Sequence, residues 1–291
     1  MSSLTFTLIQ THLHWEDKTT NLSMLEGKIN SIKDKTEVVV LPEMFSTGFS
    51  MKPEQLAETM DGPAVQWMKR VAAERKIILT GSLIIEDGQT YGQTETVRPE
   101  EAVELEYGQT GTVRPYYNRL VWMLPNGQYG VYDKRHRFAY AGEDAHYTAG
   151  TKRLIASVKG WKINLQVCYD LRFPVWARQS PFSGEEEPEY DVLIYVANWP
   201  ERRSHAWKTL LQARAIENQC YVIGVNRVGN DGNNIYHSGD SMVIDPMGEV
   251  LYTKNKEEDI FTITLDKTHL QIVREKLPFL KDADLFQLMM E

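Results

Sequence analysis

Sulfur is scarce in this chain: two cysteines, Cys168 and Cys220, in 291 residues. Two thiols make neither a disulfide framework nor a four-thiolate zinc site, and such sparing use fits a reducing compartment. There is no His-Glu-x-x-His, no Cys-x-x-Cys and no Gly-x-x-x-x-Gly-Lys, so neither a metal centre nor a phosphate loop is expected. Basic excess is missing too. The formal net charge is -8, which speaks against a surface that tracks nucleic-acid phosphates. No apolar window reaches the length of a membrane span. The N-terminus has no basic leader, and Leu4 to Leu8 alternates as a strand does. These absences predict a soluble, cytoplasmic chain, long enough to bury a core without staples.

What is present is an alternation of strands and helices. Leu22, Leu25, Ile29 and Ile32 recur at helical spacing. Glu37 to Leu41 is a continuous apolar run stopped by Pro42, the pattern of a strand covered on both faces. Asp61-Gly62-Pro63 opens a helix bearing Val65, Met68 and Val71. Lys76 to Ile85 is a second buried strand, and Leu120 to Met123 and Gly130 to Asp133 flank the turn at Asn126-Gly127. In the second half, Trp161 to Val167, Asp191 to Ala197 and Tyr221 to Asn226 read as strands. Trp207, Leu211 and Ala215 line one face of a helix, with Ser204 as its expected cap. Met242 to Thr253 reads as a hairpin turning at Pro246-Met247-Gly248, and the tail from about Leu265 has no strong pattern. No linker interrupts the chain, so residues 1-291 are expected to form a single α/β domain. One internal echo stands out: Tyr91 to Pro99 nearly recurs at Tyr107 to Pro115. This duplicated stretch, about 88-115, and the acidic run Ser183 to Glu189 are expected to be surface insertions.

Reactive side chains follow the buried strands. Glu43 comes just after Val38–Leu41, Lys134 after Val131-Tyr132, Cys168 after Ile163–Val167, and Asn198-Trp199 after Leu193–Ala197. Ligands gather outside the carboxyl ends of strands in open α/β sheets, so these residues are candidates for one rim. Singly, each has a plain structural reading: a core thiol, a helix-start carboxylate, a surface lysine beside Asp133. Cys220, among Ala215, Ile216 and Val222, is expected to be an inert core thiol.

The words around them narrow the choice. Leu41-Pro42-Glu43-Met44-Phe45-Ser46-Thr47-Gly48, then Tyr132-Asp133-Lys134-Arg135-His136 with Gly142-Glu143, then Cys168-Tyr169-Asp170-Leu171-Arg172-Phe173-Pro174, resemble in order and separation the segments of the carbon–nitrogen hydrolase (nitrilase-like) superfamily. Phe45 to Met51 and Lys276 to Asp282 resemble its omega-amidase branch. The resemblance covers nearly the whole chain; the duplicated stretch and the acidic run depart from it. It implies a four-layer α-β-β-α sandwich and a homodimer packed through helices, with neither cofactor nor metal.

The resemblance further implies an amidase acting on a small omega-monoamide of a 2-oxo dicarboxylic acid through a cysteine thioester. Cys168 would be the nucleophile, Glu43 the proton carrier and Lys134 the oxyanion partner, supported by Glu143 and by the backbone N–H of Tyr169. Substrate contacts are expected from Phe45, Phe138, Arg172, Asn198, Trp199 and Arg202, with Arg203 beside them. Within the same superfamily a carbamoyl amidase or a nitrilase is the alternative. Outside it stand a Cys–His hydrolase using His136, His205 or His237, and a non-catalytic scaffold.

Overall fold

The computed structural model describes residues 3–87, 115–179, 188–284 and 288. Its strands are β1 (Ser3–Gln10), β2 (Val38–Val40), β3 (Ile78–Glu86), β4 (Tyr116–Met123), β5 (Tyr129–Asp133), β6 (Leu154–Val158), β7 (Trp161–Val167), β8 (Val192–Ala197), β9 (Tyr221–Asn226), β10 (Val228–Asn230), β11 (Tyr236–Ile244), β12 (Val250–Asn255) and β13 (Asp259–Asp266). They form two sheets, in the order β13-β1-β2-β3-β4-β5 and β10-β11-β9-β8-β7-β6, with β12 also paired to β11. The centre of each sheet is parallel, β1-β2-β3 in one and β7-β8-β9 in the other. The duplicated stretch at about 88-115 and most of the acidic run lie outside the described residues.

The four-layer α-β-β-α arrangement follows from which face each strand residue buries. Val38 and Val40 of β2 join Leu4, Phe6 and Leu8 of β1 in a core shared with Ile163, Leu165 and Val167 of β7. Val39, one residue out of phase, joins the cluster under helices α1 (Lys18–Asn30) and α3 (Pro63–Arg75), between which the short α2 (Pro53–Leu56) falls in the chain, with Leu25, Ile29, Val65 and Met68. A side-chain period of two thus serves two cores from one strand. On the far side, helix α6 (Ser204–Asn218) lays Trp207, Leu211 and Ala215 onto the second sheet. It sits close: a Cβ at Gly224 of β9 would lie 2.5 Å from Leu211 and 2.8 Å from Trp207. Among the described residues no helix is long and apolar enough to cross a membrane.

Two expectations are corrected here. The tail is not patternless: helix α7 (Lys267–Lys276) follows β13, capped by Asp266, whose side chain accepts from Thr268 N. Its Lys267 and Arg274 both pair with the buried Asp191 at 2.9 and 3.0 Å. Ser204 does not cap α6; it is already helical, and Arg203 at the cap position makes no side-chain cap bond.

Candidate active site

Each reactive group stands where a buried strand gives out. Glu43 lies three residues past β2, Lys134 directly after β5, and Cys168 directly after β7. The backbone turns sharply at two of these exits: Cys168 has φ 45° and Met44, next to Glu43, has φ 44°. Left-handed conformations cost a non-glycine residue roughly 1–3 kcal/mol and persist only where their surroundings impose them. At Cys168 the chain enters the 3-10 turn Cys168–Arg172, short helix α5 (Pro174–Ala177) follows, and the cysteine stays 9% exposed.

Beneath it lies a fully buried ionic cluster. Lys134 Nζ donates to Glu43 Oε1 at 2.9 Å and to both oxygens of Glu143 at 3.0 and 2.9 Å. Asn118 Nδ2 donates to Glu43 Oε1 at 2.8 Å and to Glu143 Oε1 at 3.2 Å. Glu43 Oε2 accepts from the backbone N–H of Asn198 at 2.8 Å, while Asn198 Nδ2 returns a bond to the Glu43 carbonyl at 2.6 Å. Glu143, at the start of short helix α4 (Glu143–His146), also accepts from Phe138 N at 2.5 Å. Both carboxylates are 0% exposed and Lys134 is 1% exposed.

This crowding shapes proton affinities. Burial pushes the Cys168 thiol well above its ordinary range and the Glu43 charge adds to that, with Lys134 opposing. Burial alone would favour a neutral Lys134, but the Glu143 and Glu43 carboxylates outweigh it and hold the ammonium charged. Burial raises Glu143; Lys134 opposes and Glu43 adds to the rise. The resting cluster therefore pairs a protonated thiol with a permanent cation.

Cys168 opens onto a cavity of about 260 Å³ lined by Phe49, Phe138, Tyr169, Trp199, His237 and the arginines Arg172, Arg202 and Arg203, among others. Met51 and Asn198 also line it. Arg172 lies over the Trp199 ring at 4.9 Å and Arg203 over Phe138 at 5.1 Å. Among the described residues none of these three arginines pairs with a carboxylate. Burial and then the Arg202 charge lower the pKa of Arg203, and Asp231 is the one carboxylate among the lining residues.

Of the residues expected at the site, Phe45 is the one misplaced. It is fully buried in the outer core with Trp67 and lies outside the cavity lining. The left-handed turn at Met44 directs the chain that way, and Gly81 leaves the room: a Cβ there would lie 2.7 Å from the Phe45 ring. Phe49 holds the position instead, its ring 5.1 Å from Lys134 Nζ. Asn118, Phe49 and Met51 were not anticipated; Asn118 sits on β4, two residues ahead of where the apolar run announces that strand. Of the three histidines, His136 faces Asp170 and stacks on Phe173 with ring centroids 3.8 Å apart. His205 is exposed. His237 reaches the cavity, but its Nδ1 is engaged with Ile235 O and burial lowers its pKa to about 4.

Comparison with known proteins gives a family match over most of the chain. The profile of the carbon-nitrogen hydrolase family matches residues 5–275. The chain is 40% identical over 289 residues to the omega-amidase YafV of Escherichia coli, covering 99% of this chain and 100% of that one. It is 29% identical over 280 residues to the 2-oxoglutaramate amidase of Bacillus subtilis, covering 96% of each. Among solved structures, a CN-hydrolase superfamily protein from Xanthomonas campestris, with an arsenic adduct in its active site, is 37% identical. It aligns with TM-score 0.87 over 99% of this chain and 100% of that chain.

Proposed function

The chain belongs to the carbon–nitrogen hydrolase family, and from that premise we propose that it is an omega-amidase using Glu43, Lys134 and Cys168. Its substrate is a small omega-monoamide of a 2-oxo dicarboxylic acid. The observation that carries the substrate class is the cavity wall: three arginines without carboxylate partners among the described residues, beside the only thiol that reaches that cavity. Such a wall suits a substrate whose far end is a carboxylate.

The chemistry follows from the cluster. The Cys168 thiol is protonated at rest, so a base must take its proton as sulfur attacks. Glu43, the carboxylate whose charge acts most strongly on the thiol, is that base. As the S–C bond forms, the carbonyl electrons move onto oxygen, and Lys134 Nζ with the backbone N–H of Tyr169 stabilises the oxyanion. Collapse expels the amide nitrogen, protonated by Glu43, as ammonia and leaves a thioester on Cys168. Glu43 then takes a proton from water; hydroxide attacks, the S–C bond breaks, and sulfur recovers its proton. Asn198 lines the cavity and bonds Glu43 through its backbone N–H and its Nδ2, so it holds the base in place. Glu143 holds the ammonium of Lys134 in place through both of its oxygens.

The same reading makes residues 1-291 one domain, supported by the pairing of β13 with β1. It makes the protein a cytoplasmic homodimer packed through helices, supported by exposed Ile216 on α6 and Ile272 on α7, and sedimentation in dilute solution tests the dimer. The test of function is ammonia release from 2-oxoglutaramate, glutamine, a carbamoyl amino acid and a simple nitrile, with Cys168→Ala as control. Release from the oxo-amide, lost in the variant, is the expected result. Release from the carbamoyl compound or the nitrile in its place would overturn the substrate assignment.

A further inference from the structure

Asp170 is buried without any exposure, and its carboxylate bonds to partners other than those of the ionic cluster. Oδ2 accepts from the backbone N–H of Val167 at 3.0 Å and from the Tyr132 hydroxyl at 2.7 Å. Oδ1 accepts from the backbone N–H of His136 at 2.9 Å and contacts its ring Nδ1 at 2.8 Å. Tyr132 is fixed in turn: its hydroxyl accepts from Trp176 Nε1 at 2.9 Å and from Arg135 N at 3.3 Å. The His136 ring is pinned against Phe173.

The chain positions of these partners carry the argument. Tyr132 and His136 stand two residues before and two residues after Lys134. Val167 stands one residue before Cys168. One carboxylate therefore grips the lysine segment on both sides of the ammonium and grips the cysteine turn at its entry. The two segments come from different sheets, β5 in the first and β7 in the second. Cys168 also sits at a φ that its own residue type disfavours, so an outside constraint must hold it there.

From this geometry we infer that Asp170 is a positioning residue that sets the Cys168 thiol and the Lys134 ammonium in register, with Tyr132 and His136 as its struts. It touches neither substrate nor the reacting atoms; it acts through where those atoms stand. The inference rests on the proposed thiol mechanism, and it assigns His136 a hydrogen-bonding role in place of an acid–base one.

Asp170→Asn is the first test, because it keeps the shape and one acceptor while setting an amide N–H₂ against donors. Displacing reacting groups by about 1 Å costs on the order of 100-fold in rate, so kcat for the active amide should fall by about that factor. KM should stay near the parent value, since no substrate contact is lost. Alkylation of Cys168 by iodoacetamide, which needs no amide substrate, should slow in parallel as sulfur leaves its proton acceptor. Tyr132→Phe removes one strut and should lose about tenfold in kcat, the scale of one hydrogen bond to a charged group. The same change made in Asp170→Asn should add little, because both act through one carboxylate. His136→Asn retains a donor near the position of Nδ1 and should keep most of the activity, whereas His136→Ala should lose about tenfold. Loss of thermal stability in Asp170→Asn with kcat and alkylation unchanged would make it a folding residue only and overturn the inference. Should Asp170→Asn not fold, Tyr132→Phe and the two His136 variants decide: equal activity in His136→Ala and the parent, or equal inactivity in His136→Asn and His136→Ala, overturns it. If the parent hydrolyses no amide, the functional reading fails, while the alkylation rates still decide the role of Asp170.

Discussion

Replacing Lys134 by methionine leaves the stem and removes the charge, and the consequence can be worked from the cluster. The parent site holds one ammonium between two carboxylates, all essentially unexposed. Without the ammonium, two buried anions would face each other. Stripping one partner from a buried pair typically costs about 3–5 kcal/mol. The protein escapes part of that cost by binding a proton on Glu43 or Glu143, whose affinity for it rises. The folded state then holds about one more proton than the unfolded chain, whose glutamates ionise near 4.3. With more protons on the folded side, stability falls as pH rises, by about 1.4 kcal/mol per pH unit beyond the parent's slope. That loss begins above the unfolded glutamate pKa and ends where the folded carboxyl group ionises. Urea melts at several pH values between 5 and 8 measure it, and ammonia release by the same preparation should be down about 100- to 1000-fold, the scale of a lost oxyanion donor. Adding Glu143→Gln to the variant removes the second charge and should flatten the extra slope. A Lys134→Met protein whose stability runs parallel to the parent's across that range would refute the account of the cluster.

Further outcomes follow from other parts of the site. Because burial and then Glu43 push the Cys168 thiol up, little thiolate exists at neutral pH and alkylation must run through proton transfer to Glu43; Glu43→Gln should slow iodoacetamide labelling at pH 7 by about 100-fold, the scale of a lost general base, and labelling at the parent rate would contradict the buried neutral thiol. Arg202→Met should raise KM for the carboxylated amide by roughly tenfold, the scale of one charge-assisted contact, and leave a neutral analogue unaffected; equal effects on both would remove the charge clamp. Phe45→Ala should act on stability, losing about 3–5 kcal/mol as a core cavity does, with KM near the parent value; a changed KM at unchanged stability would return Phe45 to the cavity wall.

The chemical groups were legible in the sequence because each follows a buried strand, and such strands announce themselves by unbroken apolar runs. Val38–Val40 and Trp161–Val167 could be read that way, and Glu43 and Cys168 came with them. Asn118 could not: Tyr116 to Arg119 carries no apolar alternation, and the strand there is held by pairing with β3, a long-range fact. Helix α7 was hidden for a similar reason. Only Leu270 and Val273 face inward, too short a stripe to stand out, and the helix is tied to Asp191 some eighty residues earlier in the chain. Phe45 was misread because adjacency to Glu43 suggested a shared destination, while the left-handed Met44 between them sends the two side chains to different layers. The four-layer sandwich itself followed from the family resemblance; strands buried on both faces pointed only to an α/β domain with layered sheets and outer helices.

The pairing of β13 with β1 has a consequence for how the chain leaves the ribosome. Ser3 to Gln10 lie beside Asp266 to Asp259, each end matched to the other's, so the first strand made finds its edge partner only when almost everything else exists. At about 5–20 residues per second, the first strand waits on the order of ten to fifty seconds with one edge uncovered. An open, regular strand edge invites pairing with whatever strand is near, including one on a neighbouring nascent chain. A transcript truncated before Asp259 would prolong that wait indefinitely, and its product should aggregate through β1 even though Glu43, Lys134 and Cys168 are all present in it.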